Sequence, residues 1–122
     1  MKSPEKGMGY NDLGLAYYYQ GQLDEAIKEY MTALRIKPNY VKAYNNLGIA
    51  YFDKGRIDEA IKQYTTALKI KSDYAQAHYN LGNVYKIKGL KDKAREEFET
   101  ALRLKPDNPK ALKAIELLDN GF

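Results

Sequence analysis

Residues that could carry out chemistry are few in this sequence, and none forms a catalytic arrangement. The only histidine, His78, lies on an apolar stripe without a neighbouring nucleophile or further metal ligands. Because cysteine is absent, neither a disulfide framework nor a thiolate metal site is possible. The segment Gly7–Gly9 does not continue into the lysine and hydroxyl residues of a phosphate-binding loop. We therefore predict that the chain is not an enzyme and binds no cofactor or metal.

Carboxylates are more numerous, but their positions repeat along the chain. Asp24 and Glu25 recur 34 residues later as Asp58 and Glu59. Each pair precedes an apolar helical pattern, where a carboxylate favours the positive end of the helix dipole. An active site is needed once, whereas this pair occurs in the first and second units, and Asp92 keeps the register in the third. The repetition indicates a structural role at helix starts.

A period of 34 residues organises most of the chain. Three Leu-Gly pairs mark it, namely Leu13-Gly14, Leu47-Gly48 and Leu81-Gly82. Positions occupied by tyrosine, glycine, aspartate and alanine repeat in the same register. Three units follow, at residues 7–40, 41–74 and 75–108. Self-similarity at such a period is the signature of a repeat architecture.

Each unit is predicted to form two helices. In the middle unit, Tyr44, Leu47 and Tyr51 fall on one face of a first helix, which Gly55 ends. A second apolar face runs from Ile57 to Leu68. We expect the small glycine and alanine positions to let the paired helices approach closely. Large residues such as Leu13, Tyr17 and Tyr30 are then expected to fill the space on either side.

This pattern resembles the tetratricopeptide repeat. The likeness lies in the period, the opening Tyr44-x-x-Leu-Gly-x-x-Tyr51, the Ala-x-x-x-aromatic middle, and Pro38 and Pro106 after the second helices. Ser72 replaces that proline in the middle unit. The resemblance implies an all-α fold, an α-solenoid of antiparallel helix pairs in a right-handed superhelix. It also implies a single domain over residues 1–122, with a C-terminal capping helix at about 109–119.

A solenoid of this kind presents a concave face lined by the first helix of each pair, and such faces bind peptides or proteins. Asparagine amides there can donate to and accept from a peptide backbone, and tyrosines can anchor apolar groups. The expected partner-binding residues are Asn11, Leu15, Tyr19, Lys42, Asn45, Asn46, Ile49, Gln76, Tyr79, Asn80, Asn83 and Lys86.

The family's carboxylate clamp, which grips the C-terminal carboxylate of heat-shock chaperones, is largely missing. Of its five positions, Asn46 alone matches. Asn11 and Leu15 stand where the clamp has lysine and asparagine, and Gln76 and Asn80 where it has lysine and arginine. Without the three cations a carboxylate would lack charged partners. This comparison argues against a chaperone tail as the ligand.

Three other interpretations stay open. The first unit shows no cap, so chains could associate through it into a scaffold as homo-oligomers. Nucleic-acid binding is suggested by basic residues between Lys86 and Arg95, but Asp92, Glu96 and Glu97 interrupt them and a footprint would be one-sided. The regular repeats also fit an engineered chain without a natural ligand.

Composition adds two expectations. The net charge of +4 comes from mixed signs and does not require an acidic partner. The N-terminus has no apolar run of a signal peptide, and no stretch is long and apolar enough to cross a bilayer. We therefore expect a cytoplasmic protein without a membrane span.

Overall fold

The structure is a computed structural model that describes residues 4–121, and this part of the chain folds into seven α-helices without strands. They are α1 (Pro4–Tyr19), α2 (Leu23–Ile36), α3 (Val41–Asp53), α4 (Ile57–Ile70), α5 (Ala75–Ile87), α6 (Lys91–Leu104) and α7 (Pro109–Asp119). Each helix packs against its neighbours in sequence, and α3 also touches α1 and α5. The predicted all-α solenoid is confirmed. We call α1, α3, α5 and α7 the inner helices and α2, α4 and α6 the outer helices.

The turn inside each helix pair depends on glycine. Gly21, Gly55 and Gly89 have φ of +77°, +80° and +77°, a conformation that residues with a Cβ rarely adopt. In the first turn the Gly21 amide donates to the Tyr18 carbonyl at 3.0 Å, and the Gln22 amide donates to the Tyr17 carbonyl at 2.9 Å. These two bonds form a Schellman motif that ends the helix. The prediction that Gly55 ends the first helix of the middle unit is confirmed, and Gly21 and Gly89 have the same role in the other two units.

A second set of glycines makes room for buried aromatic rings. A Cβ added to Gly48 would lie 2.5 Å from Cε1 of Tyr64, so the ring occupies the space above the glycine. Gly14 stands in the same relation to Tyr30, and Gly82 to Phe98. The sequence pattern predicts a close approach through small residues on both helices. The structure shows instead that a glycine on the inner helix receives an aromatic side chain from the outer helix.

The hydrophobic core is divided into three clusters along the solenoid. In the middle cluster, Ala60 and Tyr64 of α4 pack with Leu81 and Val84 of α5. Each cluster joins an outer helix to the inner helix that follows it. Leu13 is an exception to the expected filling role, because it is 42% exposed whereas the equivalent Leu47 is 3% exposed. No outer helix precedes α1 within the described residues, so that side of Leu13 has nothing to pack against.

The last helix, α7, continues the row of inner helices. The Asn108 side chain caps its start by accepting from the Lys110 amide at 3.0 Å, and Pro109 follows at the first helical position. Its buried face carries Ala111, Ala114 and Leu118. The predicted unit boundaries at 40/41 and 74/75 fall just before α3 and α5.

Within residues 4–121, no helix has the length and apolar character that a membrane crossing requires. The cytoplasmic location stays a prediction.

Candidate functional site

The inner helices form one continuous groove. Four cavities with volumes between 260 and 540 Å³ lie along it, and neighbouring cavities share lining residues. Lys110 and Tyr79 join the two cavities nearest α7, and Asn46 and Leu15 join the two nearest α1. Every residue predicted to bind a partner lines at least one of these cavities: Asn11, Leu15, Tyr19, Lys42, Asn45, Asn46, Ile49, Gln76, Tyr79, Asn80, Asn83 and Lys86.

The asparagines differ in what they can offer a partner. Asn46 Nδ2 donates to Asn11 Oδ1 at 3.0 Å, and Asn80 Nδ2 donates to Asn45 Oδ1 at 2.9 Å. Asn11 and Asn45 are buried, whereas Asn46 and Asn80 are half-buried. Each bond joins two neighbouring inner helices and uses one amide hydrogen of its donor. Asn46 and Asn80 keep a second amide hydrogen and their Oδ1 atom for a partner.

Apolar surface and mixed charges characterise the α1 end of the groove. One cavity there is lined by Leu15, Tyr18, Tyr19, Tyr30, Asn46 and Ile49. The Tyr18 hydroxyl donates to Asp53 Oδ2 at 2.5 Å. Burial and this carboxylate raise the pKa of Tyr18 to about 12, so the phenol is neutral at physiological pH. Tyr19 is 80% exposed and free to contact a partner.

The α7 end of the groove contains basic residues that are not among the predicted partner-binding residues. Lys110 and Lys113 of α7 line a cavity of 540 Å³ together with Tyr79, Asn83 and Lys86 of α5. The repeat register could have found them. One period after Gln76 and Tyr79 come Lys110 and Lys113, the same positions of the next inner helix. The resemblance predicts α7 as a capping helix, and the structure shows that one side of this helix also lines the groove.

His78 lies outside these cavities. Its Nδ1 is 2.8 Å from Glu97 Oε1 on α6, and its Nε2 is 2.8 Å from the Ser72 carbonyl oxygen. The ring therefore links α5 to α6 and to the turn before α5. The expected packed imidazole is found at the helix-pair interface, with polar partners that the repeat pattern did not predict.

Comparisons with known proteins agree on one family. A family model described as TPR repeat matches residues 14–55 and 50–89, and a second model, described as tetratricopeptide repeat, matches residues 75–108. No significant match is found among curated protein sequences.

Solved structures with the same fold include three tetratricopeptide domains. The first TPR of Spaghetti (RPAP3), bound to HSP90 peptide SRMEEVD, has 23% identity and a TM-score of 0.91, covering 98% of this chain and 94% of that chain. The Arabidopsis OM64 TPR domain has 23% identity and a TM-score of 0.92, covering 98% of both chains. The second TPR domain of human RPAP3, in complex with HSP70 peptide SGPTIEEVD, has 24% identity and a TM-score of 0.86, covering 96% of this chain and 98% of that chain. At these identities the similarity shows the fold.

Proposed function

Since this chain belongs to the tetratricopeptide repeat family, we propose that it binds an extended peptide segment of a partner protein in the groove of its inner helices. The family consists of protein-interaction modules and not enzymes. The observation that supports the groove is its continuity, because four cavities share lining residues from α1 to α7. A continuous groove of this kind suits a chain segment better than a compact small molecule.

The dimensions of the groove suggest the length of the segment. Packed helices lie about 8–10 Å apart, so four neighbouring inner helices span roughly 25–30 Å. An extended peptide rises about 3.4 Å per residue and would cover this distance with about eight residues. The amides of Asn46, Asn80 and Asn83 would bond its backbone, and Tyr79 and Ile49 would contact its side chains.

A displayed library of random decapeptides tests this proposal. Selected peptides would be measured by fluorescence anisotropy against the wild type and an Asn46→Ala/Tyr79→Ala/Asn83→Ala variant. We expect the variant to bind at least about tenfold more weakly, because amide partners and an aromatic contact are lost. A control variant with three changes on the outer helices, Gln63→Ala/Thr66→Ala/Thr100→Ala, should bind like the wild type. Equal binding by all three proteins would overturn the groove assignment.

Chaperone peptides require separate treatment. Two of the similar structures hold HSP90 or HSP70 peptides, so the comparisons do not support excluding such tails as partners. The residues at the clamp positions nevertheless differ, and Gln76 and Asn80 carry no charge. We propose that recognition of a terminal carboxylate at these positions is absent. Amidating the C-terminus of peptide SRMEEVD should then change its affinity less than about threefold, and a larger loss would show a working clamp.

Self-association is a second candidate, supported by the exposed face of α1. Leu13 is 42% exposed and Tyr10 is 37% exposed, and they line a cavity of 350 Å³ with Lys6 and Gly9. The equivalent Leu47 packs under the preceding outer helix. A helix of a second chain could cover α1 in the same way. Sedimentation equilibrium should then show an average molecular mass that rises with protein concentration for the wild type. For the Leu13→Gln variant the average mass should stay at that of the monomer.

A further inference from the structure

Three lysines meet at the end of the groove formed by α5 and α7. We call this cavity the α7 cleft. Its walls include Tyr79, Asn83 and Lys86 from α5, and Lys110, Lys113 and Leu117 from α7. The aromatic ring and the leucine provide apolar surface, while the three ammonium groups and one amide provide hydrogen-bond donors.

The lysines of the α7 cleft have no acidic partner among residues 4–121. None of the salt bridges in this part of the chain includes Lys86, Lys110 or Lys113, whereas Lys54 and Lys88 pair with Asp24 and Asp58. No carboxylate lines the α7 cleft. The ammonium groups are therefore available to an anionic group from outside the chain.

Charges vary along the groove. The cavity next to the α7 cleft contains Asp107 beside Lys105 and shares Lys110. At the α1 end the lining charges are mixed, with Asp12 opposite in sign to Lys42. Positive charge without an opposing carboxylate occurs in the α7 cleft, so the groove has an electrostatic polarity along its length.

We infer that the α7 cleft binds carboxylate side chains, so that the peptide segment carries Asp or Glu at the end that lies against α7. This inference rests on the proposed function, since it names the chemistry of the segment held by the groove. Lysine ammonium groups attract carboxylates as mobile point charges, and the Asn83 amide adds a neutral donor. The methylene groups of the acidic side chain would pack on Tyr79 and Leu117.

A peptide fits these observations better than a nucleic acid. A nucleic acid needs a basic stripe that follows its phosphates, whereas the positive charge here is confined to one end of the groove. Asp12 and Asp107 lie along the same face and would repel a phosphate backbone. The alternating amides and apolar residues of the remaining groove match a polypeptide.

The test uses the same random decapeptide library on three forms of the whole chain. They are the wild type, a cleft variant with Lys86→Gln/Lys110→Gln/Lys113→Gln, and a control with Lys28→Gln/Lys62→Gln/Lys69→Gln on α2 and α4. The control removes equal charge from exposed lysines outside the groove that form no salt bridge within residues 4–121. Both variants are checked by circular dichroism, and no change in fold is expected because these lysines lie outside the core.

We expect wild type and control to enrich peptides with Asp or Glu in one half, and the cleft variant to lose that enrichment. For a selected peptide, the cleft variant should bind about tenfold more weakly at about 50 mM salt, with the difference shrinking as salt screens the charges. Replacing the peptide's acidic residues by Asn or Gln should abolish the difference between wild type and cleft variant.

The outcomes separate this inference from the proposed function. Peptides that depend on Asn46, Tyr79 and Asn83 but show no acidic enrichment would overturn the inference and leave the groove assignment standing. An absence of any groove-dependent peptide would count against the proposed function itself. The displayed peptides have no free C-terminus, so the enrichment reports Asp and Glu side chains and not a terminal carboxylate. An amidated synthetic peptide should therefore bind with the same affinity as the free acid. A single-stranded oligonucleotide that binds tightly and depends on the same three lysines would replace the peptide as the ligand.

Discussion

The glycine beneath Tyr64 allows a direct test of how the solenoid packs. Gly48 lies in the middle of α3, and the change Gly48→Ala would place a methyl group 2.5 Å from Cε1 and 2.8 Å from Cδ1 of the Tyr64 ring. Ordinary contacts at such positions are 3.4–4 Å. The ring would have to move by about 1 Å, although Tyr64 is 2% exposed and packs against Ala60, Leu81 and Val84.

Two effects of opposite sign decide the size of the change. Alanine favours a helix over glycine by up to about 1 kcal/mol. Overpacking a well-filled core typically costs about 1–3 kcal/mol. The matched control is Gly9→Ala, also within a helix, where an added Cβ meets nothing within 4 Å. The helix-propensity gain is common to both variants, so the unfolding free energy of Gly48→Ala should be about 1–3 kcal/mol below that of Gly9→Ala.

Urea titrations followed by circular dichroism at 222 nm would measure this difference. We expect Gly9→Ala to unfold at a higher urea concentration than the wild type, and Gly48→Ala at a lower one than Gly9→Ala. Combining Gly48→Ala with Tyr64→Leu should be less harmful than the sum of the single changes, because the leucine no longer fills the space above residue 48. Equal effects of the two glycine changes, or simple additivity in the double variant, would refute the packing argument.

Three further predictions follow from the same structure. Burial raises the pKa of the Tyr64 phenol, so its contribution to stability is complete below pH 10 and is lost as pH rises through the folded-state pKa. The urea midpoint of Tyr64→Phe should therefore fall less than that of the wild type on going above pH 10, and equal falls would contradict this assignment. Asn80→Ala should cost about 1–3 kcal/mol because it leaves Asn45 Oδ1 without its donor, and a double-mutant cycle with Asn45→Ala should show coupling between the two changes. Leu13→Gln should change the unfolding free energy of the monomer by less than about 1 kcal/mol, whereas Leu47→Gln should lower it by more than about 2 kcal/mol, since only Leu47 is buried. Similar losses of unfolding free energy for both variants would show that the exposed side of α1 is covered.

Much of the fold follows from periodicity alone. A 34-residue register places Leu47 and Tyr51 on one face of a helix, and it puts glycine where the chain needs a positive φ, as at Gly55. These features are local, because helix faces and turns depend on residues a few positions apart. The same register identified groove residues such as Asn46 and Tyr79, which line the observed cavities. For Asn46 and Tyr79, the face of the helix on which each residue lies was enough to predict its place in the groove.

Other features depend on which side chains meet across helices. The sequence shows Asn45 and Asn46 as adjacent amides, but only the packed inner helices bury one and pair the other with Asn11. The exposure of Leu13 also required the tertiary structure, because its type and register are those of the buried Leu47. The lysines of α7 are part of the groove because α5 and α7 line the same cavity. Burial and pairing are set by the spacing and angle of neighbouring helices, which a pattern along one chain does not contain.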